Sequence, residues 1–230
     1  MKPLEGRVAL VSGSGRGIGK AIALRLAALG ADVAINYRKD ADAALETVAE
    51  IEALGRKAKA YPASVADVDA CEKMIGDVVA DFGGLGILVN NAGIASRGQT
   101  VEDTDPAEFE RVVHTHAFSA FYLSHFALPH LRAAGRGDII MITSVATLKM
   151  SANGAPYNVG KAAMEALAQT LSKEVNTQNI FVNTVAPGLT VTEMGDRLAQ
   201  ATRGVGHISE LDAGSAFGHV LLPEEVANVV

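Results

Sequence analysis

A tyrosine and a lysine stand four residues apart in the stretch Tyr157-Asn158-Val159-Gly160-Lys161. On a helix, positions i and i+4 share a face, with Cβ atoms about 5–6 Å apart. An ammonium held there favours the phenolate and lowers the tyrosine pKa. Such a pair can donate and accept a proton near neutral pH. The same spacing equally suits a tyrosine packed beside a solvated lysine, so the pair has to be weighed with its surroundings.

A second stretch near the start of the chain, Gly13-Ser14-Gly15-Arg16-Gly17-Ile18-Gly19, has a different chemistry. Glycines allow a tight turn and a close approach of backbone to a phosphate. A helix that begins there offers free N–H groups and the positive end of its dipole. The spacing is G-x-x-x-G-x-G rather than G-x-G-x-x-G. The candidate contacts of this turn are Gly13, Ser14, Arg16, Gly17, Ile18 and Gly19.

Dinucleotide-binding chains often carry an acid about 20 residues further on, which holds the adenosine ribose hydroxyls, whereas an arginine accommodates a 2′-phosphate. Here the corresponding residues are Asn36, Tyr37 and Arg38, with no acid among them, and Arg16 lies in the turn itself. Two guanidiniums suit a dianionic phosphate through bidentate contacts. The pattern favours NADP(H), with NAD(H) as the alternative.

These residues need elements to position them. Short apolar runs alternate with longer helical patterns along the whole chain. Strands are expected at 7–13, 31–37, 57–63, 85–93, 137–145 and 179–188. Helices are expected at 18–30, 40–55, 67–83, 106–134 and about 155–176, with Pro129 interrupting or kinking the fourth. Strands separated by helices of this length form βαβ units around a parallel sheet. The fold class is therefore α/β, a Rossmann-type doubly wound parallel sheet with helices on both faces. No linker or repeat divides it, so residues 1–230 read as one domain. Ligands of such sheets sit beyond the carboxyl ends of the strands, where Ser144 and Tyr157 both fall.

The chain has 230 residues, 49% of them apolar, and a net charge of −6. That balance argues against non-specific nucleic-acid binding. No apolar run reaches the roughly 18 residues of a membrane span. The N-terminal apolar run is short and stops in glycines, unlike a cleaved signal. A cytoplasmic protein is expected, with no membrane and no nucleic acid among its partners. Cys71 is the sole cysteine and reads as structural. His114, His116, His125 and His130 lack the spacing of a metal site, so none is expected.

With the motifs placed, the chain resembles the short-chain dehydrogenase/reductase family over nearly its whole length. They stand in the family's order: Gly13-x-x-x-Gly17-x-Gly19, Asn90-Asn91-Ala92-Gly93, Ser144, Tyr157-x-x-x-Lys161, and Pro187-Gly188 with Thr192. The nearest flavour is that of 3-oxoacyl-carrier-protein reductases and glucose-dehydrogenase-like members. The resemblance implies an oxidoreductase interconverting a small-molecule carbonyl and a secondary alcohol by hydride transfer. It implies Tyr157 as general acid/base, with Lys161 lowering its pKa and holding the nicotinamide ribose. Ser144 would bond the reacting oxygen. Asn91, Ala92 and Gly93 would line the cofactor, with Asn90 steadying the sheet. Pro187, Gly188 and Thr192 would meet the nicotinamide end, and Ser64 or Val65 the adenine. Residues 193–222 match the family's substrate-covering lid by position. Ala95, Ser96, Thr147, Leu148, Met150 and Met194 are the candidate pocket residues. The family also implies a homo-oligomer, tetramer or dimer.

Four departures stand out. His116 occupies the place of the family's asparagine in the long helix, with Ser119 at its glycine. That asparagine supports a water leading outward from the lysine. A histidine can hold a water or relay a proton, so His116 joins the candidate catalytic residues. Ser64 replaces an acid that commonly meets adenine, and Gly86 replaces a frequent aspartate. Residues 222–230 read as a helix where the family continues to a last strand, which this chain is expected to lack. His116, Ser64 and that strand motivate the rival reading, a dinucleotide-binding sensor or scaffold with little catalysis.

Overall fold

The computed structural model describes residues 2–215 and 217–230. Six strands form the sheet: β1 (Val8–Val11), β2 (Asp32–Tyr37), β3 (Ala58–Pro62), β4 (Ile87–Asn90), β5 (Gly137–Ile142) and β6 (Ile180–Val185). All pair in parallel, in the order β3-β2-β1-β4-β5-β6. The chain starts at the centre, builds outward to β3, then crosses to β4 and builds the other way. The strand order reverses between β1 and β4, the switch point at which sheets of this kind take their ligands.

The strands are apolar on both sides because both faces are covered. Parallel pairing aligns Leu10 with Ala34 and with Leu88, and Leu88 with Ile139. These side chains share one face and form a core with α3 (Val68–Phe82), α5 (Ser119–Ala133) and α7 (Ala155–Val175). The alternate residues Ala9, Val11, Val33, Ile87, Val89 and Ile140 point the other way. They pack under α1 (Gly17–Ala28), α2 (Ala41–Ala53) and α9 (Pro223–Ala227).

Side-chain caps fix several helix starts. The Asp40 carboxylate accepts from Ala43 N at 3.2 Å to begin α2, and Asp67 accepts from Ala70 N at 3.0 Å to begin α3. Asp105 and Pro106 open α4 (Pro106–Val113) in the same way. The start of α1 is different. Arg16 supplies no side-chain cap, and the first turn holds no acid.

The fourth helical region departs from expectation. Pro129 does not interrupt it: α5 runs to Ala133 with Pro129 inside. The break falls earlier, in a π-helical turn at His114–Phe118 between α4 and α5. The Ser119 hydroxyl lies 2.7 Å from Thr115 O and 3.2 Å from His116 O, meeting carbonyls of this turn. The strands expected at 7–13 and 85–93 end at Val11 and Asn90, because Ser12 and Gly13 leave the ladder to hydrogen-bond with Asn91 and Ala92.

After β6 the chain forms α8 (Glu193–Arg203) and a 3-10 turn at Ile208–Gly214. Ala199, Ile208 and Val220 give this segment a small core of its own. The lid region is thus more regular than its weak periodicity implied. Residue 216 lies outside the described residues. No helix among those described is long and apolar enough to cross a membrane.

Candidate active site

The glycine turn is held by hydrogen bonds from three strands. The Ser12 hydroxyl accepts from Asn91 N at 2.9 Å and Ala92 N at 3.0 Å, and donates to Val89 O at 3.3 Å. The Asn91 amide donates to Ser12 O at 2.9 Å and to Gly13 O at 3.1 Å. The ends of β1 and β4 are therefore one unit. Gly13 and Gly17 have φ of +63° and +57°, where glycine is favoured. Gly19 is required by space: a Cβ there would lie 2.5 Å from the Asn91 amide nitrogen and closer still to Gly13 O.

Two expected cofactor contacts have other duties. Asn36 is buried, and its Oδ1 accepts from Gly13 N at 3.1 Å. Its amide donates to Tyr61 O at 3.3 Å and Ala63 O at 3.1 Å. The buried Ser14 hydroxyl donates to Val11 O at 2.7 Å and accepts from Asn36 N at 3.2 Å. Both side chains are spent on bracing the turn. Gly13 N and Ser14 N are taken too, the latter by Asn36 O at 2.9 Å. An α-helix leaves its first-turn amides without intrahelical acceptors, and in uncapped α1 these belong to Gly17, Ile18 and Gly19. This is an anion site in both dipole and donors, and it fits a dinucleotide's phosphates.

Tyr37 is half-buried at the end of β2, and Arg38 beyond it is exposed, with no ion pair among the described residues. Arg16 is exposed at the same end. Ser64 is half-buried, and its carbonyl accepts from Asp67 N at 3.1 Å. Val65 is buried, and its carbonyl accepts from the Cys71 thiol at 3.3 Å, so its side chain and carbonyl both face inward. Burial pushes that thiol up to about 12, consistent with an inert cysteine.

The chemistry-bearing side chains gather at the carboxyl end of β5. Ser144 follows β5, and its hydroxyl accepts from Ala146 N at 3.1 Å, where α6 (Ala146–Lys149) begins. The Thr147 hydroxyl lies 2.9 Å from both Ser144 O and Glu165 Oε1, fastening this stretch to α7. Tyr157 stands in the first turn of α7, with Lys161 one turn on. The Lys161 ammonium donates to Ile142 O at 2.7 Å and lies 5.8 Å from the centre of the Tyr157 ring.

Burial dominates the electrostatics of this pair in the free protein. Lys161 is buried, and desolvation pulls its pKa down to about 7. Burial raises the Tyr157 phenol above its ordinary value, and the Ser144 hydroxyl acts the other way. In the free protein the burial of the phenol outweighs the Ser144 hydrogen bond, and Tyr157 stands above its ordinary value.

His116 projects from the π-helical turn into the same cluster. Its ring is fully buried and meets the Tyr157 ring edge-on, with centroids 5.2 Å apart. Nε2 lies 2.8 Å from Ile94 O and 3.4 Å from Ile94 N, and the shorter contact, to a carbonyl that can only accept, assigns the ring proton to Nε2. Nδ1 is buried with no partner among the described residues. Burial, then the charge of Lys161, holds the imidazole down to about 3, so it is neutral at physiological pH. Two glycines make room for it. A Cβ on Gly93 would lie 2.5 Å from His116 Cε1, and one on Gly160 would lie 3.1 Å from His116 Cβ.

The remaining predicted residues border this cluster. The Asn90 amide reaches the Ser124 hydroxyl at 3.4 Å. Pro187 O accepts from Val145 N at 3.1 Å, and Gly188 O accepts from the Thr190 hydroxyl at 3.1 Å. The Thr192 hydroxyl accepts from Gly195 N at 3.0 Å and caps α8. Its methyl lies 3.4 Å from where a Cβ on Gly17 would stand, so the start of α8 faces the glycine turn. Two supporting residues escaped the sequence reading. Ser12 was hidden in an apolar run, although a polar residue just before the first glycine is a usable signal. Glu108 is buried and accepts from Arg97 N at 2.6 Å, fixing the loop after β4, and nothing in its sequence context marks it.

The family model described as short chain dehydrogenase matches residues 7–203. The chain is 41% identical over 198 residues to the short chain dehydrogenase mdpC of Emericella nidulans, covering 86% of this chain and 74% of that one. It is 34% identical over 236 residues to hydroxynaphthalene reductase arp2 of Aspergillus fumigatus, covering 99% and 85%. A short chain dehydrogenase from Burkholderia cenocepacia, solved in complex with NADP, superposes with a TM-score of 0.88 at 36% identity, covering 98% and 89%.

Proposed function

The chain belongs to the short-chain dehydrogenase/reductase family and is an NAD(P)-dependent oxidoreductase, and from that premise we propose that it interconverts a carbonyl and a secondary alcohol, with NADP(H) favoured. The observation that carries this reading is one cluster: the Ser144 hydroxyl, the Tyr157 phenol and the buried Lys161 ammonium stand beside an uncapped, glycine-lined helix start.

A nicotinamide dinucleotide, when bound, supplies or accepts the hydride. Gly17, Ile18 and Gly19 would hold its phosphates, and Asn91, Ala92, Gly93, Pro187, Gly188 and Thr192 would line its nicotinamide half. Arg16 and Arg38 would take a 2′-phosphate, which supports NADP(H). In reduction, negative charge grows on the substrate oxygen. Ser144 donates a hydrogen bond to that oxygen, and Tyr157 delivers its proton. Lys161 has donors left beyond Ile142 O, and ribose hydroxyls accepting from them favour its charged form. The recharged ammonium then favours the phenolate that proton delivery leaves behind. His116 acts as a neutral acceptor through Nδ1, suited to hold a water, and not as a relay that changes charge.

Leu148, Met150 and Met194 are exposed near the cluster and support an apolar substrate. The relative named for hydroxynaphthalene points the same way. The exposed aromatic residues Phe118 and Phe121 support a homo-oligomer. The test is NADPH oxidation followed by absorbance over a panel of carbonyl compounds that includes bicyclic aromatic ketones. Turnover with at least one is expected. Confirmed cofactor binding with no turnover on any would favour the sensor or scaffold reading.

A further inference from the structure

Arg16 and Glu193 are 177 residues apart in the chain, yet Arg16 Nη1 donates to Glu193 Oε2 at 3.0 Å. Arg16 precedes α1, and Glu193 lies in the first turn of α8 beside its cap Thr192. The pair thus ties the lid helix to the glycine turn, alongside the approach of Thr192 to Gly17. Asp40 Oδ2 lies 3.9 Å from the same arginine nitrogen, and Arg197 Nη2 lies 3.4 Å from the same Glu193 oxygen.

We propose that Glu193 is a specificity-determining residue for the cofactor: it occupies Arg16 in the free protein, so a 2′-phosphate must win Arg16 from it. The proposal rests on the reading that Arg16 faces the adenosine ribose. NAD(H) carries a hydroxyl at that position and makes no demand on the guanidinium, so the tie to Glu193 persists. NADP(H) carries a dianion, which takes the planar guanidinium more strongly than a carboxylate does. The displaced Glu193 carboxylate is then left near a like charge. Glu193 therefore lowers the NADP(H)-over-NAD(H) preference that Arg16 and Arg38 create. Both side chains are 58% exposed, so the effect is modest, up to about fivefold, and is screened by salt.

The test is Glu193→Gln in the full chain, with dissociation constants for NADP+ and NAD+ measured by titration at low salt. NADP+ is expected to bind about two- to fivefold more tightly to the variant, and the NAD+ constant to change less. In an Arg16→Gln background the same change is expected to leave the ratio of the two constants unaltered. Loosening of α8 alone would move both constants together, leaving the ratio fixed, and would overturn the proposal. So would a Glu193→Gln ratio equal to that of the wild type while Arg16→Gln lowers it. If Arg16→Gln itself leaves the ratio unchanged, the reading of Arg16 as a phosphate ligand fails, and this inference falls with it.

Discussion

The His116 imidazole stands edge-on against the Tyr157 ring, at an interplanar angle of 82°. Its Nε2 is bound to Ile94 O and its Nδ1 is left as a buried acceptor. One histidine thereby joins the π-helical turn, the loop after β4 and the first turn of α7. Its burial removes the property for which histidine is usually noted, a charge change near neutral pH.

His116 is expected to stay neutral throughout the working range. Its Cε1 proton resonance should be flat between pH 5 and 8. Replacement by Asn, which also offers an amide donor and a carbonyl acceptor, should keep turnover within about tenfold; loss of proton relay at a general acid–base site would cost about 10²–10⁴-fold. A titration of His116 near 6.5 would contradict its placement.

Gly93 owes its identity to this ring. Gly93→Ala would drive a methyl into His116 Cε1. We expect a loss of about 1–3 kcal/mol of stability, together with reduced turnover as the Tyr157 contact shifts. The double variant Gly93→Ala with His116→Ala should recover part of the stability, because the cause of the clash is gone. Additive losses in a denaturant-unfolding cycle would show that the two residues are not in contact.

Lys161 has a folded-state pKa of about 7, below the ordinary lysine value. Between the two values the unfolded chain binds more protons than the folded one. Stability from this group therefore rises as pH goes from about 7 to 10 and is flat below about 7, where both states hold the proton. Lys161→Met removes the dependence. The unfolding midpoint of wild type relative to that variant should climb over this interval in cofactor-free protein. A constant difference would mean that the ammonium is solvated.

The sheet, its helices and the glycine turn were legible because each rests on local pattern: buried apolar runs, helical spacing and glycines at a strand-to-helix turn. Ser14 and Asn36 show where that legibility stops. Both sit at the carboxyl edge, and sequence cannot tell whether a polar side chain there faces a ligand or braces the backbone. Only the register of β1, β2 and β3 reveals that Asn36 spans all three. Pro129 misled for a related reason. A helix tolerates the lost bond at one turn, while the π-helical turn at His114–Phe118 has no residue signature. The packing of Gly93 and Gly160 on His116 joins three distant segments, so no local window contains it. The sense of the Tyr157 shift depends on how deeply the phenol itself is buried, which spacing on a helix does not specify.

The account turns on Tyr157 as the proton donor and acceptor. The most direct measurement compares wild type with Tyr157→Phe, scoring turnover on an active carbonyl and the dissociation constant of NADP+ in parallel. The account predicts a fall in kcat of about 10²–10⁴-fold, with cofactor affinity within about threefold of wild type. Undiminished kcat in the variant would contradict it.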